Sequence, residues 1–407
     1  MARPARRASG QGCAAINNDV LYEILLRLPA KTLCRLRAVC RSWGSLLSSP
    51  SFIAAHTARQ AAPLLVVHGR GHDGYAADVH LLDMASGESI KRVPTESTLS
   101  VNFPMLLHTP RDLVGLTAGW FRDFRLRVLD PATGADFVLP NADADRHRRW
   151  FSLPDDDPDT HPRHRSFFLP EDDPCTHPHR RSCMLGRAST GDCKVLYFGM
   201  SPRPNRQQLC KVLTLSVDHE WRETGCPPAM VATDHSVGAA AVKGAAYFFS
   251  YFLQAPAPGN KGYIMAYDLD KEVWRPAFVP APAPGNKQVV HRLGHSLAEL
   301  GGCLALMYTD EHESMEIWLL VDADQAIWSM QCTITVPYCY QGVHIQLDMA
   351  EPLWLLDDGR IIIWMWMSGE RPHGVLCMYD PRTMTYTDVA DMPNYTLAGV
   401  YTGSLLG

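Results

Sequence analysis

Four histidines crowd one short stretch of the sequence: His161, His164, His177 and His179, beside the carboxylates Asp155–Asp157 and Asp172–Asp173. Imidazole and carboxylate together are a ligand set for a transition metal, so metal binding is the first chemistry to weigh. The stretch is a tandem duplication. Residues Phe151 to Ser166 are followed at once by a near copy, Phe167 to Ser182. Both copies are rich in Pro, Asp and Arg and poor in apolar side chains, so neither can order itself by burying surface. The expectation is a mobile loop with no metal. No cysteine pair has zinc-finger spacing, and the chain holds no phosphate loop and no nucleophile elbow. His291 and His295 are four apart but precede a strand rather than lie on a helix, and they read as ordinary histidines. The sequence therefore predicts no catalytic residues, no metal and no cofactor.

The elements around these residues set the frame. At 407 residues, 46% hydrophobic and 20% charged, the chain reads as a soluble protein of two domains. A net charge of −5 is small for this length and argues against nucleic acid as a partner. Twelve cysteines are scattered with no dense framework, and residues 1–20 carry no apolar stretch after Arg3, Arg6 and Arg7. Reduced thiols in the cytoplasm or nucleus are expected, with no secretory leader. The longest strongly apolar run, Ile361 to Met367, is too short to cross a membrane.

The first fifty residues read as a helical module. Asn17, Asn18 and Asp19 offer capping side chains, and Leu21, Ile24, Leu25 and Leu28 follow at i, i+3, i+4 and i+7. Pro29 stops this helix. A second pattern places Leu36, Val39, Cys40, Trp43 and Leu47 on one face. Pro50 ends it, and Phe52 and Ile53 begin a short further turn. Three short helices cannot bury all their apolar surface alone, so the module should lean on a partner or on the rest of the chain. Between residues 16 and 56, Arg27, Lys31, Arg35, Arg37 and Arg41 face only Asp19 and Glu23. That excess fits either a solvated helix face or an acidic partner.

The run from Asn18 to Leu33 resembles the opening of a plant-type F-box. Val39-Cys40-Arg41-Ser42-Trp43, followed by Leu46-Leu47, Pro50 and Phe52, resembles its closing half. The resemblance implies an F-box at 16–56, after an N-terminal segment (1–15) expected to be disordered. It implies docking on a Skp-family adaptor and, through it, on a cullin-based ubiquitin ligase. Carried onto this chain, it places Leu28, Pro29, Val39, Cys40, Trp43 and Leu47 at the adaptor-binding surface, the last four divided between interface and core. Leu21, Ile24 and Leu36 are expected in the core, since periodicity alone marks burial.

A linker is expected at 57–63. From Leu64 the helical period gives way to short β-type runs. A unit recurs: an apolar strand closed by an aspartate, a polar turn, then another strand. The closing residues are Asp83, Asp130, Asp218, Asp268, Asp322 and Asp380, spaced 47, 88, 50, 54 and 58 residues apart. Removing the 32-residue duplication brings the outlier to 56. An Asp side chain caps the turn it opens. An aromatic follows several of them, Phe137, Trp274, Trp328 and Tyr386, and is expected to stack between neighbouring sheets. Turn signals at Lys243-Gly244, Gly301-Gly302 and Asp358-Gly359 supply a second hairpin per unit.

Six units of about fifty residues suit the four-stranded blades of a kelch-like propeller. The expected fold is α+β multidomain: a three-helix F-box, then an all-β propeller-like domain of about six blades over 64–407, with the insert at 151–182. This region resembles the F-box-associated β domains of plants, and Tyr401 to Leu406 resembles their closing strand. A second duplication, 255–261 and 281–287, reads as flexible loop. The resemblance implies a non-catalytic adaptor that brings a protein target for ubiquitination. An interaction scaffold outside ubiquitination, and a kelch-type enzyme with a metal on the axis, are the alternatives. The last needs convergent His, Tyr and Cys ligands that the sequence does not assemble.

Overall fold

Asn17 accepts a hydrogen bond from the Asp19 amide at 3.2 Å, which caps α1 (Asn18–Leu25). In the computed structural model, four helices follow one another: α1, α2 (Ala30–Leu36), α3 (Arg41–Leu47) and α4 (Pro50–Arg59). The structure describes residues 17–28, 30–59, 63–69, 78–84, 86–94, 105–107, 112–118, 125–142, 182–200, 207–215, 217–232, 239–250, 262–282, 295–309, 314–335, 339–340, 343–367, 373–392, 395–403 and 405. The expected disordered segment at 1–15 and nearly all of the duplicated insert lie outside them. The chain divides into two compact units, one of Met1–Ala62 with Thr402–Gly407 and one of Pro63–Tyr401.

The helical unit is built more finely than its apolar period suggests. The pattern from Leu36 to Leu47 is two helices, because Cys40 is extended (φ −158°, ψ 163°) and α3 restarts behind it. Pro50 begins a helix instead of merely ending one. At a first helical position its missing amide is no loss, and Ser49 Oγ accepts from the Phe52 amide at 3.3 Å. α4 then runs to Arg59, three residues into the stretch expected as linker. Leu25, Leu33, Leu47 and Phe52 form the buried centre. Tyr22 meets Phe52 edge to face with centroids 5.2 Å apart. The Arg37 guanidinium donates to the Leu47 carbonyl at 2.9 Å and satisfies an orphan acceptor at the end of α3.

Among the described residues of the second unit the strands form six antiparallel sheets. Blade 1 orders Tyr395–Tyr401, Leu64–Gly69, Val79–Asp83 and Ser89–Val93. Blade 2 orders Met105–Leu107, Val114–Ala118, Arg125–Leu129 and Asp136–Val138. Blade 3 orders Ser182–Arg187, Cys193–Met200, Gln208–Thr214 and Arg222–Thr224. Blade 4 orders Ala240–Val242, Ala245–Phe249, Gly262–Asp268 and Val273–Trp274, with Val279–Pro280 also on its third strand. Blade 5 orders His295–Leu300, Cys303–Thr309, Ser314–Asp322 and Ile327–Thr335. Blade 6 orders Val343–Leu355, Ile361–Met367, His373–Asp380 and Thr385–Met392, with Cys339–Tyr340 on its first strand. The six first strands contact one another in a closed ring, as a propeller requires.

The ring is closed by a strand borrowed from the far end of the domain. Tyr395–Tyr401 pairs antiparallel with Leu64–Gly69, Leu65 facing Val400 and Val67 facing Ala398. The closing strand thus lies upstream of the expected Tyr401–Leu406, which shares only Tyr401 with it. Leu405 is buried and groups with the helical unit.

Each aspartate of the repeat sits where the third strand of a blade gives way to the fourth. Asp83, Asp130, Asp322 and Asp380 each accept from a backbone amide two or three residues on, at 2.8 to 2.9 Å, and Asp268 accepts from Lys271 at 2.9 Å. Asp218 points backward and accepts from Thr214 at 2.7 Å. Lys243 and Gly244, both at positive φ, make the two-residue turn that joins the first strands of blade 4.

Blade strands are buried on both faces, which explains runs such as Ala245–Phe249. Ala246 and Phe248 pack with Phe198 and Met265 at the seam to blade 3. Ala245, Tyr247 and Phe249 pack with Leu304 and Leu306 at the seam to blade 5. Across blades 3 to 6 an aromatic on the fourth strand, or just before it in blade 3, also ties each sheet to its predecessor. Trp221 donates to Pro140 O at 2.7 Å, Trp274 to Gly225 O at 3.0 Å, and Trp328 to Pro280 O at 2.7 Å. Tyr386 donates to Thr335 O at 3.1 Å. Phe137 departs from the expected stacking. It is 53% exposed and its ring has no N–H or O–H to donate.

Candidate functional site

The helical unit leaves apolar side chains uncovered that its own core does not use. Leu28 is half-buried at the end of α1, where its carbonyl lies 2.9 Å from Nε2 of the buried His56. Val39 is 63% exposed in the break between α2 and α3. Cys40 is exposed beside it, with Sγ 3.1 Å from the Ser42 hydroxyl. That contact and the Trp43 amide hold its thiol below the ordinary value. Trp43 is half-buried. These residues share a short stretch of surface-lying chain around the start of α3. Pro29 lies outside the described residues. Leu47, one of the four residues expected to divide between core and interface, is fully buried.

Ile24 reverses its expectation. It is 46% exposed and shares one face of α1 with Val20, four residues before it and also exposed. Six apolar residues on α1 and the turn that ends it (Val20, Leu21, Ile24, Leu25, Leu26 and Leu28) are more than a single buried stripe accommodates. That surplus was a readable sign that α1 shows apolar surface outward. Arg27, Arg35 and Arg41 are exposed as well, whereas Arg37 is spent on the Leu47 carbonyl.

The propeller concentrates charge at the seam of blades 3 and 4. Buried Lys194 donates to Leu269 O at 2.6 Å and to Glu272 at 2.7 Å. Arg222 bridges Glu272 and Asp218. Its guanidinium, with help from Lys194, holds the Glu272 carboxyl below the usual carboxylate range. Every charge there has a partner, so the cluster fastens two blades and leaves no group poised for chemistry. Burial pushes the Cys210 and Cys377 thiols up to about 12, which keeps them protonated and unreactive at neutral pH. Among the described residues no group of three or more His, Cys, Asp or Glu could hold a metal. His295 lies in the first strand of blade 5, paired with Tyr308, and His291 and the insert histidines fall outside the described residues.

Comparison with known proteins agrees with this division. Residues 15–54 match the family described as F-box domain, and residues 162–393 match F-box associated beta propeller domain. F-box protein At3g07870 of Arabidopsis thaliana is 24% identical across 97% of this chain and 93% of its own length. F-box protein CPR1 of the same plant is 30% identical over 32% of this chain and 30% of its own. Among solved structures, TolB from Acinetobacter baumannii aligns over 86% of this chain and 70% of its own, with 12% identity and a TM-score of 0.42.

Proposed function

We propose, from the premise that this chain belongs to the F-box associated beta propeller family, that it is the target-recognition subunit of a Skp-cullin-F-box ubiquitin ligase. The observation that carries this reading is the exposed Val39-Cys40 step, next to half-buried Trp43 in a module whose core is already complete. Apolar side chains held outward by a finished fold are what a partner surface needs. Exposed Arg27, Arg35 and Arg41 suit an acidic adaptor and speed encounter more than they add affinity.

On this reading the chain catalyses nothing itself. It raises the effective concentration of a bound protein near a ubiquitin-conjugating enzyme carried by its partners. The propeller holds the target. Both sequence duplications join strand ends that open on the same face, opposite the tight turns of each blade, and that face is where loop variation can set specificity. The site of action is the cytoplasm, the nucleus or both, where thiols stay reduced.

The test is capture of a plant Skp adaptor by the full chain, by a Leu28→Ala, Pro29→Ala double variant and by Val39→Glu. The wild type binds, and the variants lose at least tenfold in affinity while the propeller's unfolding transition stays unchanged. A folded wild type that captures no adaptor overturns the reading. An adaptor-bound chain that supports no ubiquitination of any captured protein would assign it to a scaffold role.

A further inference from the structure

Fourth strands are the outer edges of the blades, and most of them are guarded. Blade 2 ends in a three-residue strand, Asp136–Val138, and blade 3 in Arg222–Thr224. Blade 4 breaks its edge into Val273–Trp274 and Val279–Pro280, ending in a proline. Blade 1 carries Lys91 and Arg92 in its edge, and blade 6 carries Asp388 and Asp391. Short length, proline and charge are the ordinary means by which a sheet edge is kept from pairing with another chain.

Blade 5 has none of them. Its edge, Ile327–Thr335, runs nine residues without a charge or a proline and is the terminal strand of its sheet. Met330 is 52% exposed, and Ile327 is exposed as well. Two tyrosines of blade 6 cover the far end, Tyr379 and Tyr386 donating to the carbonyls of Thr333 and Thr335. Among the described residues the stretch Ile327 to Cys332, which bulges at Gln331, carries no such cover. At its near end stands the turn Asp322–Ala326, with exposed Val321 just before it. Asp322 spends Oδ1 on the amides of Asp324 and Gln325, and Asp324 is exposed. Among the described residues no Lys or Arg pairs with either carboxylate.

We propose that this edge is a docking strand, which takes an extended segment of a partner protein as a fifth strand of blade 5. Antiparallel addition, the more stable pairing, brings the C-terminal end of the segment to Ile327 and the acidic turn. The partner is thus a segment of alternating apolar or β-branched residues that ends in Lys or Arg, the charge meeting Asp322 and Asp324. Backbone pairing gives the affinity, and the acidic turn fixes direction and register.

The probe is a labelled peptide of alternating Thr and Val that ends in Lys, titrated by fluorescence anisotropy against the full chain, with a twin that ends in Glu. The Lys peptide binds at least tenfold tighter than its twin. Met330→Lys, which places a charge on the edge at an exposed position, weakens it at least tenfold. Asp324→Lys reverses the preference between the two peptides. No binding by the wild type, undiminished binding by Met330→Lys, or an unchanged preference in Asp324→Lys each overturns the proposal. So does a sedimenting dimer of the wild type that Met330→Lys dissolves, since the edge would then serve a second copy of this chain. Adaptor capture is read separately and is unaffected by Met330→Lys, so a failure here leaves the ligase reading standing.

Discussion

Blades 3 to 6 and blades 1 and 2 hold their places by different means. In the first group an aromatic on or just before each fourth strand sends an N–H or O–H to a carbonyl at the end of the preceding blade. In the second, the matching positions carry Ile90 and Phe137, both exposed. Blade 1 instead uses Lys91, whose ammonium donates to Ala132 O at 2.8 Å, and the turn at Gly87. There φ is +69°, and a Cβ would stand 2.6 Å from that of Ala390 in blade 6. The family match at 162–393 begins inside the insert and ends with blade 6, so it covers the tied blades. The difference teaches that the ring is a run of four similar seams completed by two blades held in individual ways.

The comparison breaks most visibly at Trp274, which packs on Phe198, Phe248 and Tyr267 besides donating to Gly225. Trp274→Ala is expected to cost about 3–5 kcal/mol, read as the urea midpoint of the propeller transition. Next comes the closing seam. Gly374→Ala drives a Cβ to 1.9 Å from the ring of buried Trp364, and about 1–3 kcal/mol of overpacking should follow on the same assay.

A smaller effect separates the seams by pH. The Glu272 carboxyl is lowered in the fold by Arg222 and then Lys194, so its contribution is complete above the unfolded value of about 4.3 and is lost as pH falls through the folded one. The wild-type midpoint should decline below about pH 5, and Lys194→Met should flatten that decline. An identical decline in both proteins would remove this seam as its cause. The smallest expected effects make the sharpest contrast. Tyr386→Phe removes one hydrogen bond and should cost about 1 kcal/mol, whereas Phe137→Ala should stay within about 0.5 kcal/mol. Equal losses would erase the distinction between the two groups of blades.

What could be read from sequence was what local chemistry writes there. The six aspartates were visible because each caps a turn a few residues away, and that punctuation was enough to count the blades. Trp221 escaped notice because Asp218 points backward, which brings its aromatic to three residues instead of six or seven. Phe137 was counted on spacing, but spacing does not report a donor group or burial. The exchange between buried Gln208 and Val231, with Val231 N donating at 2.6 Å and Gln208 Nε2 at 3.1 Å, joins residues far apart in sequence and left no local sign. At the helical unit, the motif marks where the F-box lies, but which of its apolar residues face outward depends on packing. Ile24, expected in the core, is exposed for that reason.

The borrowed strand of blade 1 has a consequence for biogenesis. Leu64–Gly69 leaves the ribosome more than three hundred residues before Tyr395–Tyr401, its partner in the ring. Through that whole interval a growing chain exposes an apolar strand with one edge unmet, a template for mispairing that only a chaperone or speed can protect. A chain cut short before residue 395 would lack both the strand that closes the ring and Leu405, which is buried and groups with the helical unit. Both units thus wait on residues from Tyr395 onward, so a shortened chain finishes neither.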